Sequence, residues 1–145
     1  MTFSLALDYR IWKLGPAGYH LTNLLLHALA GVGLDLAGRR LGGPSVVSWM
    51  LGALWATSPF SEEPAVSVAI RFEDLLLLAW LGMMLAWPRP EQRWSGGRQA
   101  AVAAFTALAL LSKETWVVTP GLVLALEWGF RRLEARKALR AALPF

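Results

Sequence analysis

The stretch YHLTNLLLHALAGVGLDLAG, Tyr19–Gly38, decides the fold. It is long enough to cross a bilayer core, which takes about 20 predominantly apolar residues at a rise of about 1.5 Å each. Yet its first half carries His20, Asn23 and His27. Their i, i+3, i+7 spacing puts them on one helical face. A polar stripe on a membrane helix faces protein or a wet cavity, not lipid. The stretch therefore reads as a membrane helix that packs its polar side against other helices.

Composition agrees. Hydrophobic residues make up 56% of the chain, and the mean hydropathy is +0.45. Soluble domains run at about 45–50% apolar even with glycine counted. The apolar residues fall into runs near 19–38, 44–59, 64–87, 99–112 and 115–130, separated by GRRLGGP, SPFSEEP, PRPEQRWSGGR and SKE. Glycine and proline punctuate these boundaries. The expected fold class is all-α: a polytopic transmembrane helix bundle of about five spans, forming one partial transmembrane domain with a basic tail over 131–145. The expected location is the inner (cell) membrane.

The last two runs flank Lys113 and Glu114 in LALLSKETWVVTPGLVLAL, 108–126. One helix over 100–128 would be about 44 Å long, too long for a single straight crossing. It would also bury a lysine near the bilayer centre at a cost of about 2.5–3.5 kcal/mol. Two short helices meeting at SKE avoid that cost, so Lys113 and Glu114 are expected at a tight turn on the membrane surface.

Five spans put the termini on opposite sides. With the C-terminus cytoplasmic, the inner segments hold Arg39, Arg40, Arg89, Arg93, Arg98, Arg131, Arg132, Arg136, Lys137 and Arg140. The outer segments hold Arg10, Lys13, Arg71 and Lys113. Ten cations against four is a positive-inside bias, so the N-terminus is expected outside. Trp12, Trp49, Trp87, Trp116 and Trp128 fall near span ends, as an aromatic belt does. The tail RRLEARKALRAAL is a basic amphipathic stretch suited to the inner membrane surface. The partners so implied are membrane lipids and no nucleic acid.

Several chemistries are not signalled. There is no cysteine, hence no disulfide, thiolate metal site or cysteine nucleophile. No P-loop, dinucleotide-binding glycine loop or HExxH pattern is present. What remains is an outer-face collection of polar residues. His20 and Asn23 read equally as a site wall or as inter-helix hydrogen-bonding groups, and His27, deeper, reads as the latter. Arg71 and Asp74 are spaced i, i+3 and suit an ion pair on a helix. Lys113 suits a phosphate ligand, as a compact point charge. Asp35 lies four residues before Arg39, the spacing of an intrahelical ion pair.

Three blocks in order, LDYRIWKLGPAGYHLTNLLLH, SPFSEEPAVSVAIRFEDLL and LLSKETWVVTP, resemble membrane glycosyltransferases of the GT-C superfamily. The likeness is to the bacterial relatives of the tetratricopeptide-containing O-mannosyltransferases, and it covers roughly 5–128. The resemblance implies transfer of a sugar from a polyprenyl-phosphate carrier to an acceptor at the outer, periplasmic membrane face. It implies lipid-phosphate binding by Lys113, Arg71, His20 and Asn23, with Glu63 and Glu114 as candidate catalytic acids. A carboxylate is the group needed to take the proton from an acceptor hydroxyl. No cofactor is called for, and the sugar, the acceptor and any divalent-metal requirement are left open.

The chain departs from the family in two ways. Ser58 and Ser61 stand where the family often has histidines. The family's principal catalytic acid lies in a first outer loop that would precede Met1, so the chain is expected to be an internal piece, inactive alone; Asp8 is not assigned as the base. Two other readings compete. One is a non-catalytic multi-span scaffold or assembly subunit, with satisfied ion pairs and no cavity. The other is a proton or ion pathway with Asp35 and His27 facing each other across a wet interior.

Overall fold

The computed structural model describes residues 2–59, 63–88 and 92–112, together with Gly121, Leu124, Ala125, Trp128, Gly129 and Arg132. The described residues form helices and no strands. The elements are α1 (Thr2–Trp12), α2 (Pro16–Arg40), α3 (Ser45–Thr57), the one-turn α4 (Glu63–Val66), a 3-10 turn (Val68–Ile70), α5 (Phe72–Ala86) and α6 (Gly96–Ser112). Most of the segment expected over 115–130, and the SKE turn with Lys113 and Glu114, lie outside the described residues.

Helix α1 was not expected from the apolar pattern. It ends at Lys13, whose φ of 55° is left-handed, an unusual conformation for a residue with a Cβ. The Gly15 N–H bonds back to the Trp12 carbonyl at 3.0 Å. Pro16 then opens α2, where its missing N–H costs nothing because no intrahelical acceptor exists there.

Helix α2 is 25 residues long, about 38 Å. It is the one helix among the described residues both long and apolar enough to cross a membrane; α3 is apolar but shorter. Between them Gly42 takes φ 84° and Pro44 caps α3. The two helices then run back to back. A Cβ on Gly52 would lie 2.4 Å from the Gly31 carbonyl oxygen, and one on Gly38 would lie 2.8 Å from Ser48 Oγ. Small residues at such crossings let backbones touch, which is how helices associate where water supplies no hydrophobic drive.

Helix α5 packs on α2 through Ala37, Leu81 and Met84, with Leu34 and Trp87 against them. It packs on α6 through Leu76, Ala79 and Ala109. Gly82 accommodates the Phe105 ring. The up-and-down path thus gathers one end of each long helix near Asp8 and the other near Arg40.

The helix expected over 64–87 is not continuous. Ser67 is extended, at φ −96° and ψ 115°, and splits it into α4, the 3-10 turn and α5. The break places Arg71 at the N-cap of α5, where its side chain reaches toward α1 and α2 instead of lying along its own helix.

Beside this apolar packing, burial departs from that of a water-soluble domain in two respects. Arg71, Asp74, Asn23, Ser48, Asp8 and His27 are buried, while Leu24, Leu25, Leu29, Val32 and Leu36 of α2 stand outward. Only a third of the most apolar window of α2 is buried. Charged side chains are almost never fully buried unless paired, and large exposed apolar faces are rare on soluble monomers.

Candidate functional site

The polar residues converge at the Asp8 end. Arg71 is wholly enclosed. Its Nη1 donates to Asp8 Oδ2 at 2.5 Å and to Ser4 Oγ at 3.1 Å. Nε donates to Asn23 Oδ1 at 2.5 Å, and Nη2 to the Tyr19 carbonyl at 3.0 Å. A guanidinium has five N–H donors in a fixed fork, so little of its capacity is left over. Removing a carboxylate and a guanidinium from water costs several kcal/mol per ion, which only close pairing with added hydrogen bonds offsets. Arg71 has both.

Asp8 is held from its other side. Thr22 Oγ1 lies 3.0 Å from Asp8 Oδ1 and 3.1 Å from the Gly18 carbonyl. Trp12 Nε1 donates to Thr22 Oγ1 at 3.3 Å. A Cβ on Gly18 would meet the Trp12 ring at 2.3 Å, so glycine there is what lets α1 fold down on α2.

A second buried pair lies one turn deeper. His27 Nδ1 is 3.4 Å from Asp74 Oδ1, and the imidazole stacks on Trp55 with ring centroids 5.6 Å apart. Three helices, α2, α3 and α5, meet at this histidine. Asp74 Oδ2 is enclosed with no hydrogen-bond partner among the described residues.

This geometry corrects two expectations. Arg71 does not pair with Asp74 three residues on; Arg71 takes Asp8, and Asp74 takes His27. The partners across the helices are the reason: the donors of Arg71 are taken by Asp8, Ser4, Asn23 and the Tyr19 carbonyl, and Asp74 faces His27. Nor do His27 and Asp35 face each other across an interior. Both belong to α2, about 12 Å apart along its axis. Asp35 is engaged by Arg39 Nε at 2.9 and 3.0 Å, the intrahelical pair that the spacing suggests.

Of the residues assigned to the site, Asn23 and Arg71 are brought together, but they bond each other inside the protein. His20 and Glu63 are exposed. Glu63 opens α4, which packs against α2. Lys113 and Glu114 lie outside the described residues. Sequence reasoning missed Asp8 as the counter-ion of Arg71. The available signal was Ser4 and Asp8 at i, i+4, a polar pair on one face of an otherwise apolar segment.

Beside the knot, an apolar groove of about 250 Å³ opens between α1, α5 and α6, lined by Phe3, Ser4, Leu75, Leu78 and Phe105 among others. Among the described residues no group of three or more His, Cys, Asp or Glu is placed to hold a metal ion. No protein-family model, curated protein or solved structure matches this chain.

Proposed function

We propose that this chain is part of a multi-pass, inner-membrane glycosyltransferase that takes its sugar from a polyprenyl-phosphate carrier at the outer face. One observation carries the proposal. Asp8, Tyr19, Asn23, His27, Arg71 and Asp74 come from two blocks that resemble the family, separated by the rest of α2 and by α3, and they meet in two neighbouring clusters, Arg71 with Asp8, Asn23 and the Tyr19 carbonyl, and His27 with Asp74. The buried ionisable groups and the outward apolar face of α2 support the membrane part of this reading, since ionisable groups within a bilayer face the bundle interior.

In this proposal the roles within the set are redistributed. Arg71 and Asn23 are positioning residues: they lock α1, α2 and the start of α5 together at the outer end. His20 and Glu63, exposed at that end, are the groups in reach of a ligand, Glu63 being the candidate base toward an acceptor hydroxyl. The apolar groove beside Ser4 suits the isoprenoid tail. Lys113 and Glu114 complete the set as phosphate ligand and second acid.

A second reading, a non-catalytic scaffold or assembly subunit, is favoured by how completely Arg71 is satisfied. Purified chain in neutral detergent, titrated with a polyprenyl monophosphate and with the matching neutral polyprenol, separates the two. Saturable preference for the phosphate, weakened by His20→Ala and Lys113→Ala, is the expected result. Equal uptake of both lipids rules the transferase reading out and leaves the scaffold. Sugar transfer from a polyprenyl-phosphate donor, lost in Glu63→Gln with phosphate binding retained, assigns the base.

A further inference from the structure

At the end of the bundle away from Asp8, the C-termini of α2 and α5 meet the start of α6. Arg40 Nη2 donates to the Trp87 carbonyl, which tethers α2 to the last turn of α5. The Trp87 ring meets Trp94 edge-on, with centroids 5.0 Å apart and planes at 79°. Arg98 Nη1 donates to Gln92 Oε1, and its backbone N–H reaches Ser95 Oγ at 3.4 Å. These contacts bring Trp94, ahead of α6, to the end of α5 that Arg40 tethers to α2.

The corner is basic. Among the described residues it holds Arg39, Arg40, Arg93 and Arg98 against Asp35. It is also open. The Arg39 side chain is 48% exposed even while bonded to Asp35, and Arg93 is exposed. The surroundings are apolar: Trp94 is 45% exposed, and Val32 and Leu36 of α2 and Leu41 just past its end stand outward. A ligand matching both features is an anion with an aliphatic body.

We infer that this corner binds the phosphodiester headgroup of an anionic phospholipid. The arginine forks take the phosphate oxygens, a geometry that guanidinium fits better than ammonium does. Trp94 sits at headgroup depth, as interfacial indoles do. The acyl chains run down the outward leucines and valine of α2. Basic pockets between membrane helices on the inner side are known takers of such headgroups. A free phosphate would meet the arginines but leave the apolar flank uncovered. The inference rests on the membrane part of the proposed function, not on sugar transfer.

The test is a lipid titration of the purified chain in neutral detergent, read by native mass spectrometry, with phosphatidylglycerol against phosphatidylcholine. Phosphatidylglycerol is expected to fill a tight site and phosphatidylcholine not. Arg93→Gln and Arg98→Gln are each expected to weaken it by about fivefold, the worth of one basic residue at a charged surface. Arg10→Gln, exposed at the far end, is expected to leave it unchanged. Equal binding of the two lipids, indifference to both inner substitutions, or displacement of phosphatidylglycerol by an equal concentration of inorganic phosphate overturns the inference. An alkaline wash of membranes tells the two failures apart. A chain released by the wash was never integral, and the membrane reading falls with everything built on it. A chain that resists the wash yet shows no lipid preference sinks this inference alone.

Discussion

Arg71 and Arg39 are the same side chain in opposite circumstances. Arg71 lies at one end of the bundle, enclosed, with its donors spent on Asp8, Ser4, Asn23 and the Tyr19 carbonyl. Arg39 lies at the other end, half in the open, with one intrahelical partner. The first ties together segments distant in sequence; the second stays within its own helix. Residue type alone does not tell an enclosed, structural cation from an exposed one. The number of elements reaching it does.

The largest expected effect tests the enclosed end. Arg71→Met leaves Asp8 buried without its partner and is expected to cost about 3–5 kcal/mol of stability. Adding Asp8→Leu is expected to recover much of that, because two apolar groups need no counter-charge. Denaturant unfolding in detergent, followed by circular dichroism, measures the cycle. If Arg71→Met unfolds no more readily than the parent, the knot is not what holds this end. By contrast Arg98→Gln, at the open end, is expected to stay within about 0.5 kcal/mol.

Next comes the seam joining the two ends, the α2–α3 crossing. Gly52→Ala drives a methyl into the Gly31 carbonyl and is expected to cost about 1–3 kcal/mol, the usual penalty for overpacking. Gly96→Ala, with open space around it, is the matched control and should be close to neutral. Comparable losses at the two glycines would mean that the helices do not touch there.

The smaller effects sharpen the contrast. Asp35→Asn removes a partly exposed i, i+4 pair and is expected to cost about 0.3–0.5 kcal/mol, shrinking further as salt is added. Lys13→Gly relieves a left-handed non-glycine residue and is expected to gain about 0.5 kcal/mol, strain relief outweighing the added chain entropy. A loss at Lys13→Gly would show that the turn between α1 and α2 is not strained.

How much was legible beforehand follows from range. The α2 and α3 helices fall close to the segments that the apolar runs mark, because hydropathy and the Gly–Pro turn at 42–44 are local signals. The Asp35–Arg39 pair was legible for the same reason, and so was the inter-helix role of His27, a polar group deep in an apolar helix. The break at Ser67 was not, since nothing between Val66 and Arg71 is a strong breaker; tertiary bonding of Arg71 is what the kink serves. Helix α1 was missed because its apolar run is too short and too charged to read as a span. The Asp8–Arg71 pair joins positions 63 apart; the Ser4–Asp8 spacing marks a polar face on α1 but does not name its partner.

The sequence separations around Arg71 carry one more consequence, about time. Ser4, Asp8, Tyr19 and Asn23 all precede it, by 48 to 67 residues. Chains leave the ribosome N-terminus first. The cage that receives the guanidinium is therefore synthesised, and α1 and α2 are available to assemble it, before Arg71 emerges. The charge never has to wait for a partner still to be made. Reordering the segments by circular permutation, so that Arg71 is translated first, would leave the finished contacts unchanged and remove that advantage.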